Sequence, residues 1–139
     1  MDSGRRPQIL YLDDDEAVQS TTTCMLERLG CGVRGETDSL KALRTFSEEP
    51  DRYDLAILET LMPELSGVEL AARFRRIRPD FPVLFYTGRT KRSWACKIEG
   101  AGFGCVIFKP VSVQKLGETI RDVLRAAGFM LGQESSRAS

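Results

Sequence analysis

The run Leu55-Ala-Ile-Leu58 shows no alternation of apolar and polar residues. A strand with one wet face alternates with a period of two, so this strand is buried on both faces. Such strands belong to parallel sheets covered by helices on either side. Other short runs read as strands: Gln8–Leu12, Pro82–Tyr86, Gly104–Phe108 and, more weakly, Gly32–Glu36.

Helical patterns separate these runs. From about Glu16 to Leu29, Val18, Met25, Leu26 and Leu29 share a face with Thr22, and Gly30 supplies the stop. Asp38 or Ser39 can cap a second helix with Leu40, Leu43 and Phe46 facing the core. Ser66 can cap a third, bearing Val68, Leu70, Phe74 and Ile77. A poorly patterned helix is expected over roughly 91–99, around Trp94. The last, about Ser112 to Ala127, places Val113, Leu116, Ile120, Val123 and Leu124 on one face. Five strands alternating with five helices make a doubly wound α/β domain over 8–127, between a polar leader (1–7) and a flexible tail (128–139).

Ligands of such sheets bind beyond the carboxyl ends of the strands. Asp13, Asp14, Glu59, Thr87 and Lys109 each follow a strand, which points to a common site. Asp15, the third acid of its triplet, is expected to cap the helix that follows.

Composition narrows the function. Lysine plus arginine and aspartate plus glutamate number 20 each, which argues against a general nucleic-acid binder. The charge is unevenly spread: residues 73–97 are rich in arginine and lysine, whereas 48–64 are rich in acids. Two solvated faces of opposite sign, or a basic patch for an acidic protein partner, both accommodate this. The absence of histidine excludes histidine catalysis, histidine metal sites and a phosphohistidine role within the chain. The cysteines at 24, 31, 96 and 105 lack C-x-x-C spacing and read as reduced. No apolar run suggests a signal peptide or membrane span, so the cytoplasm is the expected location.

In combination the motifs are specific. Strand-Asp13-Asp14, strand-Glu59-x-x-Met62-Pro63-x-x-x-Gly67, strand-Thr87-Gly88 and strand-Lys109-Pro110, in this order, resemble the receiver domain of two-component response regulators. The resemblance runs from about Gln8 to Ala127. It implies the flavodoxin-like (βα)5 fold, a five-stranded parallel sheet in the order 2-1-3-4-5. It also implies that Asp13, Asp14 and the Leu61 carbonyl hold Mg²⁺, with Glu59 as a further candidate ligand. Thr87 and Lys109 would bind phosphoryl oxygens. The partner would be a sensor histidine kinase or a downstream effector, with the protein monomeric or dimeric. The partner face would carry Arg89, Lys91, Arg92, Trp94 and Lys97; an aromatic among basic residues suits an interface anchor, and a solvated helix explains the stretch equally well.

Two positions depart from the family pattern. Glu59 stands where an aspartate normally accepts phosphate. One extra methylene displaces the carboxylate by roughly 1 Å, enough to cost on the order of 10²-fold where in-line geometry matters. Glu59 is therefore expected not to accept phosphate efficiently. Either it directs a fixed charge toward Lys109 and Thr87, partly imitating an aspartyl phosphate, or it fills an inert pocket. Val106 stands where the family carries an aromatic that moves with the threonine, and valine is too small and stiff for that.

Two functions from different classes follow. The first is an atypical receiver without an output domain, acting through protein contacts, either stand-alone or part of a longer hybrid kinase. The second is a conventional Mg²⁺-dependent receiver that catalyses its own phosphorylation and dephosphorylation. A flavodoxin-like cofactor binder is disfavoured because acids, rather than a Gly/Ser/Thr-rich phosphate loop, follow the first strand.

Overall fold

In the computed structural model, residues 5–88 and 105–128 are described. Five parallel strands form one sheet: β1 (Gln8–Leu12), β2 (Gly32–Glu36), β3 (Leu55–Leu58), β4 (Val83–Thr87) and β5 (Cys105–Phe108). Their order is β2-β1-β3-β4-β5. Neighbouring registers include Leu12 with Leu58, Leu58 with Phe85 and Phe85 with Val106. Among the described residues four α-helices accompany them: α1 (Glu16–Arg28), α2 (Ser39–Glu48), α3 (Gly67–Ile77) and α4 (Val113–Ala126). The helix expected over 91–99 and residues Arg89, Lys91, Arg92, Trp94 and Lys97 lie outside the described residues.

Strand alternation sorts the sheet into two apolar layers. Leu10, Leu12, Ala56, Leu58, Val83 and Phe85 face α2 and α3. Ile9, Tyr11, Leu55, Ile57, Leu84, Tyr86 and Ile107 face α1 and α4. Every residue of β3 is buried, as its unbroken apolar run requires. On the α2/α3 side, Phe46 anchors a ring cluster with centroids 4.4 Å from Phe74 and 4.7 Å from Phe81.

The helix starts follow local chemistry. Asp15 accepts from the Ala17 and Val18 N–H groups at α1, and Asp38 caps α2 in the same way. Ser66 and Glu69 form a reciprocal capping box at α3, and Ser112 caps α4. Three residues assigned to core faces are instead exposed: Leu29 (36%), Leu40 (48%) and Ile77 (41%). Ala42 and Ala71 are buried on α2 and α3, because close helix–sheet approach favours small side chains there. The final residues of the leader are tied down: Arg5 pairs with both oxygens of Asp54, and Arg6 donates to the Gly30 and Cys31 carbonyls.

Candidate functional site

The carboxyl ends of β1, β3, β4 and β5 bring Asp13, Glu59, Thr87 and Lys109 into contact. Asp13, Glu59 and Thr87 are fully buried. Thr87 is the last residue of β4, one place earlier than a residue beyond the strand. Asp14 is half-buried and lines, with Asp15, Val18, Glu59, Gly88 and Lys109, an open cleft of about 420 Å³ above the site.

Glu59 is held at both oxygens. Its Oε2 accepts from the Thr87 hydroxyl at 2.6 Å and the Thr60 N–H at 2.8 Å, with the Leu61 N–H at 3.4 Å. Its Oε1 accepts from Lys109 Nζ at 3.0 Å. The same ammonium donates to Asp13 Oδ2, so one lysine bridges two buried carboxylates. Asp13 also accepts from the Asp15 N–H at 3.0 Å and the Tyr11 hydroxyl at 3.3 Å. Behind the lysine, Nζ lies 5.3 Å from the centre of the Tyr86 ring, a favourable cation–π placement.

These contacts set the charges. Burial pushes the Glu59 carboxyl up, but hydrogen bonds from Thr87 and Lys109, the lysine charge and the Thr60 N–H outweigh it and hold the group below its ordinary value. Burial acts to lower the Lys109 ammonium, and Asp13 and Glu59 more than reverse this, leaving it above the usual lysine value. Burial drives the Tyr11 phenol far upward, so it stays a neutral donor to Asp13.

The β3–α3 connection is built for close approach. The Gly67 N–H bonds the Thr60 carbonyl at 2.9 Å. A Cβ on Gly67 would lie 2.1 Å from the Glu59 carbonyl oxygen, so only glycine lets α3 start against the site. Val106, opposite Phe85 on β5, is partly buried against the α2/α3 layer.

Sequence reasoning did not single out Thr60, Tyr11 or Tyr86 as site residues. Tyr11 and Tyr86 read as strand-forming apolar residues, and nothing local announced that their polar or aromatic faces support the site. Thr60 did carry a signal: a hydroxyl directly after an all-apolar buried strand.

A divalent ion here would draw on hard oxygen donors. As arranged, Asp13 and Glu59 do not fit one: Lys109 engages them together, and the second Glu59 oxygen is taken by Thr87 and Thr60. Among the described residues, no group of three or more Asp, Glu, Cys or His side chains is placed to hold a metal.

The fold and this strand-end cluster define a receiver module, and comparison with known proteins agrees. The response regulator receiver domain family matches residues 9–121. The chain is 32% identical over 133 residues to the transcriptional regulatory protein CseB of Streptomyces coelicolor, covering 94% of this chain and 55% of that protein. It is 32% identical over 118 residues to the response regulator MprA of Mycobacterium leprae, covering 85% and 51% respectively. The chain thus spans about half the length of these two relatives, and 17% of the transcription factor SKN7 of Chaetomium thermophilum, to which it is 25% identical over 135 residues. A receiver domain structure from Clostridium thermocellum superposes with a TM-score of 0.83 at 26% identity, covering 90% of this chain and 99% of that one. The chain belongs to the response regulator receiver domain family. The receiver domain is a signalling module of two-component systems. Among the described residues, no helix is long and apolar enough to cross a membrane.

Proposed function

We propose that this receiver carries a built-in carboxylate in place of a phosphoryl group and signals through protein contacts rather than phosphate turnover at Glu59. One observation carries the reading: both Glu59 oxygens are engaged by donors that the family pattern assigns to phosphoryl oxygens, Thr87 at 2.6 Å and Lys109 at 3.0 Å. An inert pocket would not need to hold a charged, fully buried side chain with this many donors. Glutamate supplies one negative charge where a phosphoryl group supplies nearly two, so the imitation is partial. Mg²⁺ is not required on this reading, because Lys109 already neutralises part of the carboxylate charge. If Mg²⁺ is bound at all, Asp13, Asp14 and the Leu61 carbonyl are the residues to hold it, after Lys109 withdraws from Asp13. The partner is a histidine kinase or an effector, and the basic residues with Trp94 are the proposed face.

The conventional reading, phosphate acceptance with Mg²⁺, is favoured by one feature: Asp13, Asp14, Thr87 and Lys109 are all retained around Glu59. Intact mass after incubation with acetyl phosphate and Mg²⁺ separates the two. The parent chain is expected to gain no phosphoryl group, and Glu59→Asp is expected to gain one. A phosphoryl on Glu59 of the parent would overturn the proposal.

A further inference from the structure

Thr60 occupies the first variable place of the carboxylate-x-x-Met-Pro motif, and the family pattern assigns it no role. It is 3% exposed. Its hydroxyl lies 2.9 Å from Thr87 Oγ1 and 3.2 Å from Glu59 Oε2, and Thr87 Oγ1 lies 2.6 Å from the same Glu59 oxygen. Three oxygens thus form a closed triangle with only two hydroxyl protons to share.

The proton assignment follows from strength. The shortest edge joins a hydroxyl to a carboxylate and is charge-assisted, so the Thr87 proton goes to Glu59. Thr87 Oγ1 is then an acceptor, and the Thr60 proton fills it. The result is a directed chain, Thr60 to Thr87 to Glu59, in which each bond polarises the next. The Thr60 backbone is itself fixed: its N–H is on Glu59, and its carbonyl accepts from Gly67 at the start of α3.

We propose that Thr60 is a positioning residue whose hydroxyl holds the Thr87 hydroxyl on the Glu59 carboxylate and so keeps the end of β4 in one state. The inference rests on Glu59 acting as the resident acceptor partner of Thr87. It assigns a fixed hydroxyl, in this chain, to the task of stabilising the engaged threonine.

Two variants of the full chain separate the hydroxyl from the packing. Thr60→Val keeps shape and removes the hydroxyl; Thr60→Ser keeps the hydroxyl and removes the methyl. NMR reads the Thr87 rotamer through its side-chain couplings, and the Glu59 carboxyl through its ¹³C titration, with no phosphate donor present. In Thr60→Val, minor Thr87 rotamers are expected to rise about fivefold, the effect of losing one hydrogen bond. The Glu59 titration should move upward, and the Thr87, Gly88 and Lys109 amides should shift. Thr60→Ser should keep the parent's rotamer and titration. A valine variant that matches the parent, or a serine variant that behaves like valine, overturns the proposal. Should the valine variant not fold, the parent decides alone: a slowly exchanging Thr60 hydroxyl proton with a cross-peak to Thr87 supports the chain, and a freely exchanging one overturns it. The phosphate reading is decided separately by mass gain, so the two can fail independently.

Discussion

Lys109→Met tests whether the bridge is the energetic centre of the site. The variant removes an ammonium shared by two carboxylates, Asp13 and Glu59, that are both 0% exposed. Methionine keeps most of the apolar stem, so the loss is mainly of charge and hydrogen bonds. Removing one partner of a buried ion pair costs about 3–5 kcal/mol, because the remaining charge is left uncompensated. The lysine side chain is itself only 15% exposed, so solvent relieves little of this. Against a domain stability of about 5–15 kcal/mol, the change is large. Urea unfolding at pH 7 would show it as a fall in midpoint at unchanged slope. The pH dependence carries the mechanism. In the parent, the Glu59 carboxyl is depressed, so its contribution is present above the ordinary value of about 4.3 and is lost as pH falls through the lower folded value. In the variant, burial acts without the lysine and the carboxyl rises, so protonation comes earlier and relieves the buried charge. The gap between parent and variant should therefore be widest near neutrality and narrow toward pH 4. The double variant Glu59→Gln, Lys109→Met should be less unstable than the sum of the singles, since the two groups touch. A loss below about 1 kcal/mol at pH 7, the range of a surface pair, would refute the reasoning. So would a gap that does not change between pH 7 and pH 4.

Gly67→Ala should destabilise the fold by about 1–3 kcal/mol, the range for overpacking, since the new methyl meets Glu59 backbone that cannot rotate away; a thermal melt within a degree of the parent would contradict this. A Mg²⁺ titration followed by amide NMR should leave the Asp13, Asp14 and Leu61 signals of the parent nearly still at millimolar ion, whereas Lys109→Met should respond. Saturating shifts in the parent at sub-millimolar Mg²⁺ would show that the lysine does not hold the pocket.

The fold was legible because several kinds of signal agreed. The unbroken apolar run of β3 demanded burial on both faces, and the caps at Asp15, Asp38, Ser66 and Ser112 marked helix starts by local chemistry alone. Leu29, Leu40 and Ile77 were misplaced for a shared reason. Each lies at or next to a helix end, where a 3.6-residue period still assigns a face but the sheet no longer lies beneath it. The strand-end residues were legible as a cluster because topology gathers such ends regardless of sequence separation. Their bonding was not. That Lys109 would bridge Asp13 and Glu59, and that Tyr11 and Thr60 would complete their partners, depends on sub-ångström placement of residues up to 96 positions apart.

The extra methylene of Glu59 has unequal effects on the two sides of the site. Toward β4, Oε2 reaches the Thr87 hydroxyl directly, and a carboxyl set back by about 1 Å on the same backbone would fall short of it. On the proposed reading, the carboxylate on that side takes the place of a phosphoryl oxygen at Thr87. Toward β5, Oε1 shares Lys109 with Asp13, and a single charge competes for the ammonium less well than the nearly double charge of a phosphoryl group. On that side the imitation is partial. The residues beyond the site match this division. Thr87 is braced by Thr60, a hydroxyl at a place where the family pattern requires none, whereas β5 carries Val106 in place of an aromatic reporter. A stiff, partly buried valine is restricted at χ1 and has no ring to swing between two positions. On the proposed reading, what a partner senses is therefore the engaged end of β4 at Thr87 and Gly88, not a moving side chain on β5.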